Sequence, residues 1–370
     1  MKSINDELFI HRLSLTLIEG VGDVLARQLV SYCGSVEAVF KEKKRVLEKI
    51  PEIGPKTAAS IAGFKNFSRA EKELEFIRKH NIQTYFYLDN DYPARLKNCF
   101  DAPVLLFYKG TASLNHSRMV AIVGTRNASD YGKNFTLKLV EELSEMKATV
   151  VSGLAYGIDI AAHKACVNRG VETIGVMAHG LDRIYPQAHS QTARKMAAHG
   201  GLVTEHISGS DPDRENFPKR NRIIAGLCDA VIVVEAAKKG GALITADIAN
   251  SYNRDVFALP GRIDDTFSEG CNMLIKSNRA ALIQSAADIR YIMGWENDPQ
   301  KKSSKQKQLF VELNAEEKFL YDYIASTQPA PIDAIVIHSG MQPSKVAAIL
   351  LNMEFAGVVR CLPGKVYLVL

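Results

Sequence analysis

The sequence predicts an α/β fold organised on a doubly wound parallel sheet. Short, β-branched apolar runs alternate with amphipathic helical stretches between residues 118 and 288, which is typical of parallel sheets. Nearly every run ends in a turn that combines glycine with a lysine or arginine. The run 102–110 begins with an Ala-Pro pair and is expected to form an edge strand of the same sheet, because proline lacks a backbone donor. The other expected strands are residues 120–123, 148–152, 172–177, 201–205, 230–235 and 255–259.

The rest of the chain is expected to form attachments to this sheet. Residues 1–65 are predicted to be a helical unit with two glycine-containing turns of the SAM-like helix-hairpin-helix type. Residues 66–295 then form the central domain with an N-terminal extension. Residues 296–308 contain no hydrophobic residue and are expected to be a linker. Residues 309–370 show the helix–helix–helix–hairpin order of a winged helix.

The sequence leaves open whether either attachment contacts nucleic acid. A glycine-rich hairpin turn lets backbone N–H groups approach a DNA phosphate, but two ordinary packed helix turns show the same pattern. The winged-helix segment holds four Lys/Arg against six Asp/Glu, and its third helix carries only Lys345 as a cation. This balance favours a protein-contact or purely structural role over insertion into the DNA major groove.

Composition excludes several classes of protein. Hydrophobic residues make up 46% of the chain and charged residues 24%, as in ordinary globular proteins. The apolar runs are shorter than the roughly 18 residues of a membrane helix, and the N-terminus lacks a secretory signal, so we expect a cytoplasmic protein without membrane contact. Six cysteines without a CxxC pair predict neither a metal site nor a disulfide framework. The net charge of +5 permits nucleic-acid binding without requiring it.

The turn after the strand 120–123 is the strongest single indication of a ligand. Gly124, Thr125 and Arg126 form this turn, and a helix follows it at once. A helix N-terminus offers unpaired N–H groups and the positive end of the helix dipole, which together favour a phosphate. Arg126 adds a guanidinium whose donors suit phosphate oxygens.

Cations collect on the loops at the carboxyl ends of the strands, where ligands bind in parallel sheets. Since the net charge is only +5, eight cations on one rim give a local positive field suited to a polyanion. Glycines of these loops, among them Gly153 and Gly240, would let a ligand approach the backbone, and Phe217 could stack on a base or fill the core. The eight cations are Arg126, Arg183, Lys219, Arg220, Arg222, Lys238, Lys239 and Arg262.

Other features limit the chemistry of this rim. Arg220 and Arg222 lie at the start of a helix, and we expect one to bind the ligand and the other to pair with a carboxylate. Neither GxGxxG nor GxxxxGK[ST] follows a strand, so no nucleotide cofactor is predicted. Asp159 and Asp182 are more typical of loop caps than of catalysts, so no catalytic residue is assigned.

Taken together, the loop motifs resemble those of the DNA processing protein A family (DprA, also called Smf). In order between about residues 100 and 285 they read Val-Gly-Thr-Arg, Ser-Gly-Leu-Ala-Tyr-Gly-Ile-Asp, Gly-Leu-Asp-Arg-Ile-Tyr-Pro, Phe-Pro-Lys-Arg-Asn-Arg, Gly-Ala-Leu-Ile-Thr-Ala and Leu-Pro-Gly. The resemblance implies a Rossmann-like domain that binds single-stranded DNA without sequence preference and is not an enzyme. It also implies protection of incoming strands during natural transformation, loading of the RecA recombinase, and a homodimer formed through the central domain.

The resemblance also implies which residues contact DNA. Gly241 departs from the serine that the family pattern carries nearby, which leaves the contacts of that loop open. The predicted rim adds Gly153, Lys238, Lys239 and Gly240 to the implied residues. Those implied by the resemblance are Gly124, Thr125, Arg126, Phe217, Lys219, Arg220, Asn221 and Arg222.

The alternative is an enzyme on the same sheet. The glycine-rich loops are similar to those of phosphoribohydrolases of the Lonely Guy family, whose Pro-Gly-Gly-x-Gly-Thr-x-x-Glu loop supplies a glutamate. The corresponding residues 239–247 read Lys-Gly-Gly-Ala-Leu-Ile-Thr-Ala-Asp, without that spacing or the glutamate. A protein-interaction scaffold that merely retained the sheet is the third possibility.

Overall fold

A computed structural model describes residues 6–295 and 313–370, so the predicted linker lies outside the described residues. The central feature is a nine-stranded sheet with helices on both faces, and a separate three-stranded sheet belongs to the C-terminal part. This architecture confirms the predicted α/β fold class.

The bounds of the elements follow the hydrophobic pattern closely. The helices are α1 (Asp6–Leu15), α2 (Asp23–Cys33), α3 (Val36–Lys41), α4 (Lys44–Leu47), α5 (Pro55–Ala62), α6 (Ser68–Lys79), α7 (Ala94–Lys97), α8 (Asp130–Glu145), α9 (Ile158–Arg169), α10 (Ser190–His199), α11 (Asn216–Leu227), α12 (Gly241–Ser251), α13 (Glu269–Lys276), α14 (Ala286–Ile292), α15 (Ala315–Thr327), α16 (Ile332–Ser339) and α17 (Pro343–Phe355). The strands are β1 (Gln83–Phe86), β2 (Leu105–Gly110), β3 (Met119–Gly124), β4 (Thr149–Ser152), β5 (Thr173–Val176), β6 (Gly201–Thr204), β7 (Ala230–Val234), β8 (Asp255–Ala258), β9 (Ala281–Leu282), β10 (Ala330–Pro331), β11 (Val359–Leu362) and β12 (Val366–Val369).

The large sheet has the strand order β1-β2-β6-β5-β4-β3-β7-β8-β9. Strands β3 to β9 are parallel to one another, while β1 and β2 are antiparallel additions beside β6. The predicted edge position of β2 is therefore wrong, since β1 covers its outer side. Pro103 lies before the first paired residue, Leu105, so its missing N–H does not interrupt the ladder.

Alternating residues of the parallel strands pack against different helix layers. Val120 and Ile122 of β3 belong to the core beneath α8, α9 and α14. Ala121 and Val123 of the same strand belong to the core beneath α11, α12 and α13. Side chains of a strand alternate between its faces, so a strand that is apolar on both faces requires helices on both sides.

The strand order reverses between β3 and β7, which are direct neighbours in parallel register. Loops that leave the carboxyl ends of two such strands diverge to opposite faces and open a crevice between them. The fold therefore brings the loops after β3, β4, β5 and β7 to one edge of the sheet.

The N-terminal helices pack on the outer part of the sheet. Leu105 and Phe107 of β2 share one core with the helices of this unit. The carboxylate of Asp23, at the start of α2, accepts a hydrogen bond from the Val104 N–H at 2.8 Å. Helix α6 begins after the proposed boundary at residue 65, yet it packs on α1 and shares the same core. The domain limits stay a proposal.

The C-terminal part forms a helix bundle with a small sheet of order β10-β12-β11. Its apolar core includes Leu320, Val346 and Leu350, from helices α15 and α17. The turn between β11 and β12 meets the central domain where Arg254 donates to the carbonyl of Pro363 at 3.3 Å. Since Arg254 directly precedes β8, this contact lies at the amino edge of the sheet, opposite the ligand-binding edge.

Within residues 6–295 and 313–370, no single helix has the length and hydropathy needed to cross a membrane. Helices α16 and α17 reach those limits only as a pair with a 115° bend between them. All six cysteines are unpaired.

Candidate functional site

A cavity of about 110 Å³ opens at the carboxyl edge of the sheet. Its walls come from the loops after β3, β4 and β5 and from the first turns of α11. The rings of Tyr156 and Tyr185 are half exposed at its border, and the Tyr185 ring lies 6.1 Å from the Phe217 ring, centroid to centroid. The opening is therefore lined by several aromatic surfaces.

Arg126 and Phe217 lie together at this cavity. The Arg126 guanidinium lies 5.7 Å from the centroid of the Phe217 ring, a cation–π contact between loops distant in sequence. Arg126 is exposed and forms no ion pair among the residues described. Helix α11 begins at Asn216, so Phe217 and Pro218 lie in its first turn, where proline is tolerated. The helix thus fixes the position of the Phe217 ring.

The N-terminus of α8 is already occupied by an internal carboxylate. Glu235, which follows β7 and is 2% exposed, accepts a hydrogen bond from the Ser129 N–H at 2.9 Å and another from the Ser129 hydroxyl. This buried anion lies beside the helix end where the sequence predicted a phosphate, and its negative charge opposes a second anion there. A ligand at this turn would have to meet Arg126 instead.

Packing requires glycine at positions 124 and 153, and contact of these residues with a ligand stays a prediction. A Cβ at Gly124 would lie 2.0 Å from the carbonyl oxygen of Val234, and one at Gly153 would lie 2.5 Å from the Asp159 carboxylate. The Thr125 N–H donates to the Glu235 carbonyl at 2.8 Å, and the Thr125 carbonyl accepts from the Ile158 N–H. These residues hold the first two loops together.

Arg220 lies under the cavity and is buried. It donates to the carbonyl of Val176 and lies beside Asp159, and both side chains line the space below Gly153. Burial lowers the pKa of Arg220 to about 10, although Asp159 opposes this effect. Burial raises the pKa of Asp159, and the Arg220 charge again opposes it. This pair supports the cavity floor.

Arg222 faces away from the cavity, which corrects its predicted place on the rim. Its guanidinium donates to Asp23 at 2.9 Å, to Glu205, and to the Asp101 carbonyl at 2.6 Å. Its side chain is only 13% exposed. Arg222 therefore joins the helical unit to the sheet. Arg222 is thus an arginine paired with carboxylates, as expected for one of the two, while contact of the buried Arg220 with a ligand stays a prediction.

The turn before α12 presents a second helix end at this edge. Gly240 is the N-cap residue, and no described side chain caps the helix. Asn221 of α11 reaches this end, where its side-chain amide donates to the Gly241 carbonyl at 3.3 Å. Lys239 is exposed and has no ion pair among the described residues, whereas Lys238 lies 3.5 Å from Glu269.

The remaining cations of the predicted rim differ in their availability. Arg183 contacts Asp182 at 3.1 Å and also Asp211, and Arg262 contacts Asp264 at 3.1 Å. Lys219 is exposed and lacks an ion pair within the described part of the chain. The positive field of the rim therefore comes chiefly from Arg126, Lys219 and Lys239.

The sequence did not single out three features of this site. Tyr156 and Tyr185 were interpreted only as parts of loop motifs, because an aromatic residue in a loop has no periodicity to reveal its orientation. Gly157 has a φ of +81°, and a Cβ there would lie 2.1 Å from the Thr125 carbonyl oxygen. The one sequence signal for Glu235 is its place directly after an all-apolar strand.

Comparisons with known proteins agree with this architecture. Residues 83–294 match the family model for DNA recombination-mediator protein A. Residues 305–365 match the DprA winged helix domain, and residues 13–62 match a SAM-like helix-hairpin-helix tandem. These matches confirm the helix-hairpin-helix and winged-helix assignments.

Individual relatives are similar over most of the chain. Protein Smf of Synechocystis is 34% identical across 96% of this chain and 97% of its own length. The crystal structure of DNA processing protein A from Streptococcus pneumoniae, 34% identical, superposes with a TM-score of 0.68 over 76% of this chain and 97% of that one. A structure of the Helicobacter pylori protein, described by its single-stranded DNA binding mode, is 30% identical with a TM-score of 0.52 over 57% of this chain and 94% of that one.

Proposed function

Because this chain belongs to the DNA recombination-mediator protein A (DprA/Smf) family, we propose that it binds single-stranded DNA at the cavity, protects the bound strand and loads the RecA recombinase onto it. The observation that carries the proposal is the contact between Arg126 and Phe217 at the mouth of an aromatic-lined cavity. The single-stranded DNA binding mode named for the Helicobacter pylori relative supports the same assignment.

The chemistry of this mouth suits a single strand. An exposed guanidinium without a carboxylate partner among the described residues can pair with a phosphate, while Phe217, Tyr156 and Tyr185 offer faces for bases. Every base can stack on an aromatic ring and every nucleotide carries a phosphate, so binding would be independent of sequence. Lys219, Lys239 and the open end of α12 extend the positive surface along the strand.

The test is fluorescence anisotropy of labelled oligo-dT across a salt series, with Arg126→Ala, Phe217→Ala and the unaltered protein. We expect Phe217→Ala to weaken binding at least about fivefold, since stacking on one base contributes about 1–3 kcal/mol. Arg126→Ala should weaken it at least about tenfold, since a hydrogen bond to a charged group contributes about 1.5–3 kcal/mol. Arg126→Ala should also reduce the slope of log affinity against log salt by about 0.7, the value for one phosphate on a single strand.

Arg169→Ala is the matched control. Arg169 is an exposed arginine at the far end of α9, paired with Glu141 at 2.8 Å, so its replacement removes the same charge away from the cavity. Equal affinities for Arg126→Ala and Arg169→Ala would refute the site. Failure of the unaltered protein to bind oligo-dT at low salt would refute the function.

The homodimer of the central domain is also part of this proposal. Leu282 on the edge strand β9 and Ile292 on α14 are 44% and 45% exposed, and Tyr291 is 87% exposed. An apolar group of this kind beside an unpaired strand edge suits contact with a second copy. Tyr291→Asp should shift the protein to monomer in light scattering. An unchanged mass would place the dimer elsewhere.

We propose that the protein is a cytoplasmic binding protein and not an enzyme. Where a phosphoribohydrolase would carry its glutamate, Asp247 is exposed and paired with Arg279 at 2.9 Å. Glu235 is held by Ser129, and Asp159 by its buried position beside Arg220. These carboxylates are held by contacts within the protein, which supports a binding role over catalysis. Release of free base from AMP or CMP would contradict this part of the proposal.

A further inference from the structure

We propose that Glu73 of the helical unit is a positioning residue for the cavity, and that it acts through residues 205–210 on residues 178–186. We call residues 205–210 the support loop and residues 178–186 the wall segment. The inference rests on the proposed function, because it gives the helical unit a part in strand binding without contact with the strand. The wall segment contributes four residues to the lining of the cavity, namely Ala178, His179, Tyr185 and Pro186.

Glu73 lies on α6 and is only 2% exposed, although a carboxylate is seldom buried unless partners compensate its charge. One of its oxygens accepts a hydrogen bond from the Ser208 N–H at 2.9 Å, and the other accepts from the Ser208 hydroxyl. Arg69, one turn earlier on α6, pairs with Glu73 at 2.9 Å and donates to the Ser208 carbonyl. The N–H, hydroxyl and carbonyl groups of Ser208 are therefore all bound by α6.

The support loop in turn holds the wall segment. The Gly209 N–H donates to the Asp182 carboxylate at 2.9 Å, and the Gly180 N–H donates to the Ser210 carbonyl at 3.4 Å. A Cβ at Gly180 would lie 2.4 Å from the carbonyl oxygen of Ile207, so the two backbones are in direct contact. Because the segments are packed this closely, a displacement of the support loop has to move the wall segment as well.

Apolar packing connects the same parts of the molecule. Ile207 of the support loop and Leu181 of the wall segment are partly buried, and both pack against the core of the helical unit. Leu181 also packs against a second core, which contains Leu154 and Met177 of the cavity lining. The helical unit therefore supports the wall segment through side chains as well as through the Glu73–Ser208 hydrogen bonds.

Tyr185 is the residue through which this support reaches the proposed ligand. Its ring is 49% exposed at the border of the cavity and lies 6.1 Å from the Phe217 ring, centroid to centroid. A strand whose bases stack on both rings requires a fixed separation between them. Hydrogen bonds behind the residues that contact a ligand supply such a constraint. We infer that Glu73 maintains this separation.

The test uses three substitutions of the full-length protein and one matched control. Glu73→Gln and Ser208→Ala each weaken the contact between α6 and the support loop, while Ser208→Thr retains the hydroxyl. The control is Asp89→Asn, which disrupts a comparable pair with Arg12 at 2.9 Å in the same unit and a hydrogen bond from the Phe86 N–H. Each protein is examined by hydrogen exchange without DNA and by anisotropy with labelled oligo-dT.

We expect amide exchange in the wall segment to be about tenfold faster in Glu73→Gln and Ser208→Ala, because each loses a hydrogen bond to a charged group. Their oligo-dT affinity should be about fivefold lower, as for the loss of one stacking contact. Ser208→Thr and Asp89→Asn should match the unaltered protein in both measurements. A purely structural role of Glu73 would instead give Glu73→Gln and Asp89→Asn the same affinity, which would overturn the inference.

A double-mutant cycle tests the route through Tyr185. Tyr185→Ala/Ser208→Ala should bind oligo-dT no more weakly than Tyr185→Ala, since the support has no effect once the ring is absent. Additive losses, or unchanged exchange in the wall segment of Glu73→Gln, would overturn the inference. Failure of the unaltered protein to bind oligo-dT would refute the proposed function, whereas the exchange measurement decides without DNA whether Glu73 holds the wall segment.

Discussion

Helices α8 and α12 follow adjacent strands of the sheet, but their N-termini are in opposite situations. At α8 the carboxylate of Glu235 bonds to the N–H and hydroxyl groups of Ser129. At α12 the N-cap residue is Gly240, and no described side chain caps the helix. The neighbouring Lys239 is exposed. Both turns contain glycine and a cation in the sequence. A buried carboxylate from a neighbouring strand decides which helix end remains available to a ligand.

The largest change in stability is expected at Glu205, another carboxylate at the carboxyl edge of the sheet, which is paired with Arg222. Arg222→Ala would leave Glu205 and Asp23 without their partner in a mostly buried position. Above the Glu205 pKa of about 7, where this carboxylate is ionised in the unaltered protein, we expect a loss of about 3–5 kcal/mol in the free energy of unfolding, the cost of an uncompensated buried charge. Urea unfolding measures this loss. A decrease no larger than that of Arg169→Ala would show that the cluster contributes little.

The same cluster predicts a dependence of stability on pH. Burial raises the pKa of Glu205 to about 7, although Arg222 opposes this effect. Between the ordinary value of 4.5 and about 7, the folded protein therefore binds a proton that the unfolded chain has released. The free energy of unfolding should fall as pH rises through this range.

Glu205→Gln should remove this contribution and flatten the curve in urea titrations at successive pH values. Glu141→Gln, which breaks a surface pair with Arg169, should keep the slope of the unaltered protein. If Glu205→Gln and the unaltered protein show parallel curves, Glu205 does not titrate in this range.

Glu235→Gln tests how much the carboxylate at the N-terminus of α8 contributes to stability. Hydrogen bonds to a charged group contribute about 1.5–3 kcal/mol each, so we expect the free energy of unfolding to fall by about 2 kcal/mol. Glu269→Gln, which removes only an exposed ion pair with Lys238, is the control. Equal melting temperatures for the two variants would mean that the carboxylate is not needed at α8.

At α12, Gly240→Asp would convert the open helix end into a filled one. Gly240 is extended, and a Cβ there meets nothing within 4 Å, so aspartate fits and should stabilise the helix by a few tenths of a kcal/mol as an N-cap. We expect oligo-dT affinity to fall roughly fivefold, because the new charge repels phosphate by about 1 kcal/mol. Gly240→Asn caps equally well without charge and should bind normally. Equal affinity in both variants would show that DNA does not reach α12.

Much of the fold could be predicted from sequence because it follows from periodicity. The six predicted strands of the parallel sheet correspond to β3 to β8, and the predicted helix–helix–helix–hairpin order of residues 309–370 corresponds to α15, α16, α17 and the pair β11 and β12. Short elements were missed: β9 and β10 have two residues each, too few to show a pattern. The position of β2 inside the sheet depends on β1, which pairs with it from the preceding segment.

The site was predictable only as a set of loops. The order of strands and turns determined that Arg126, Phe217 and the glycine-rich turns would meet at one edge, since parallel strands bring their carboxyl ends together. The tertiary structure alone decided which groups are free there. Arg126 meets an aromatic ring, Arg222 meets two carboxylates, and Glu235 fills a helix end. Contacts between residues far apart in sequence determine whether a charge is neutralised within the protein or left for a ligand, and no local pattern records them.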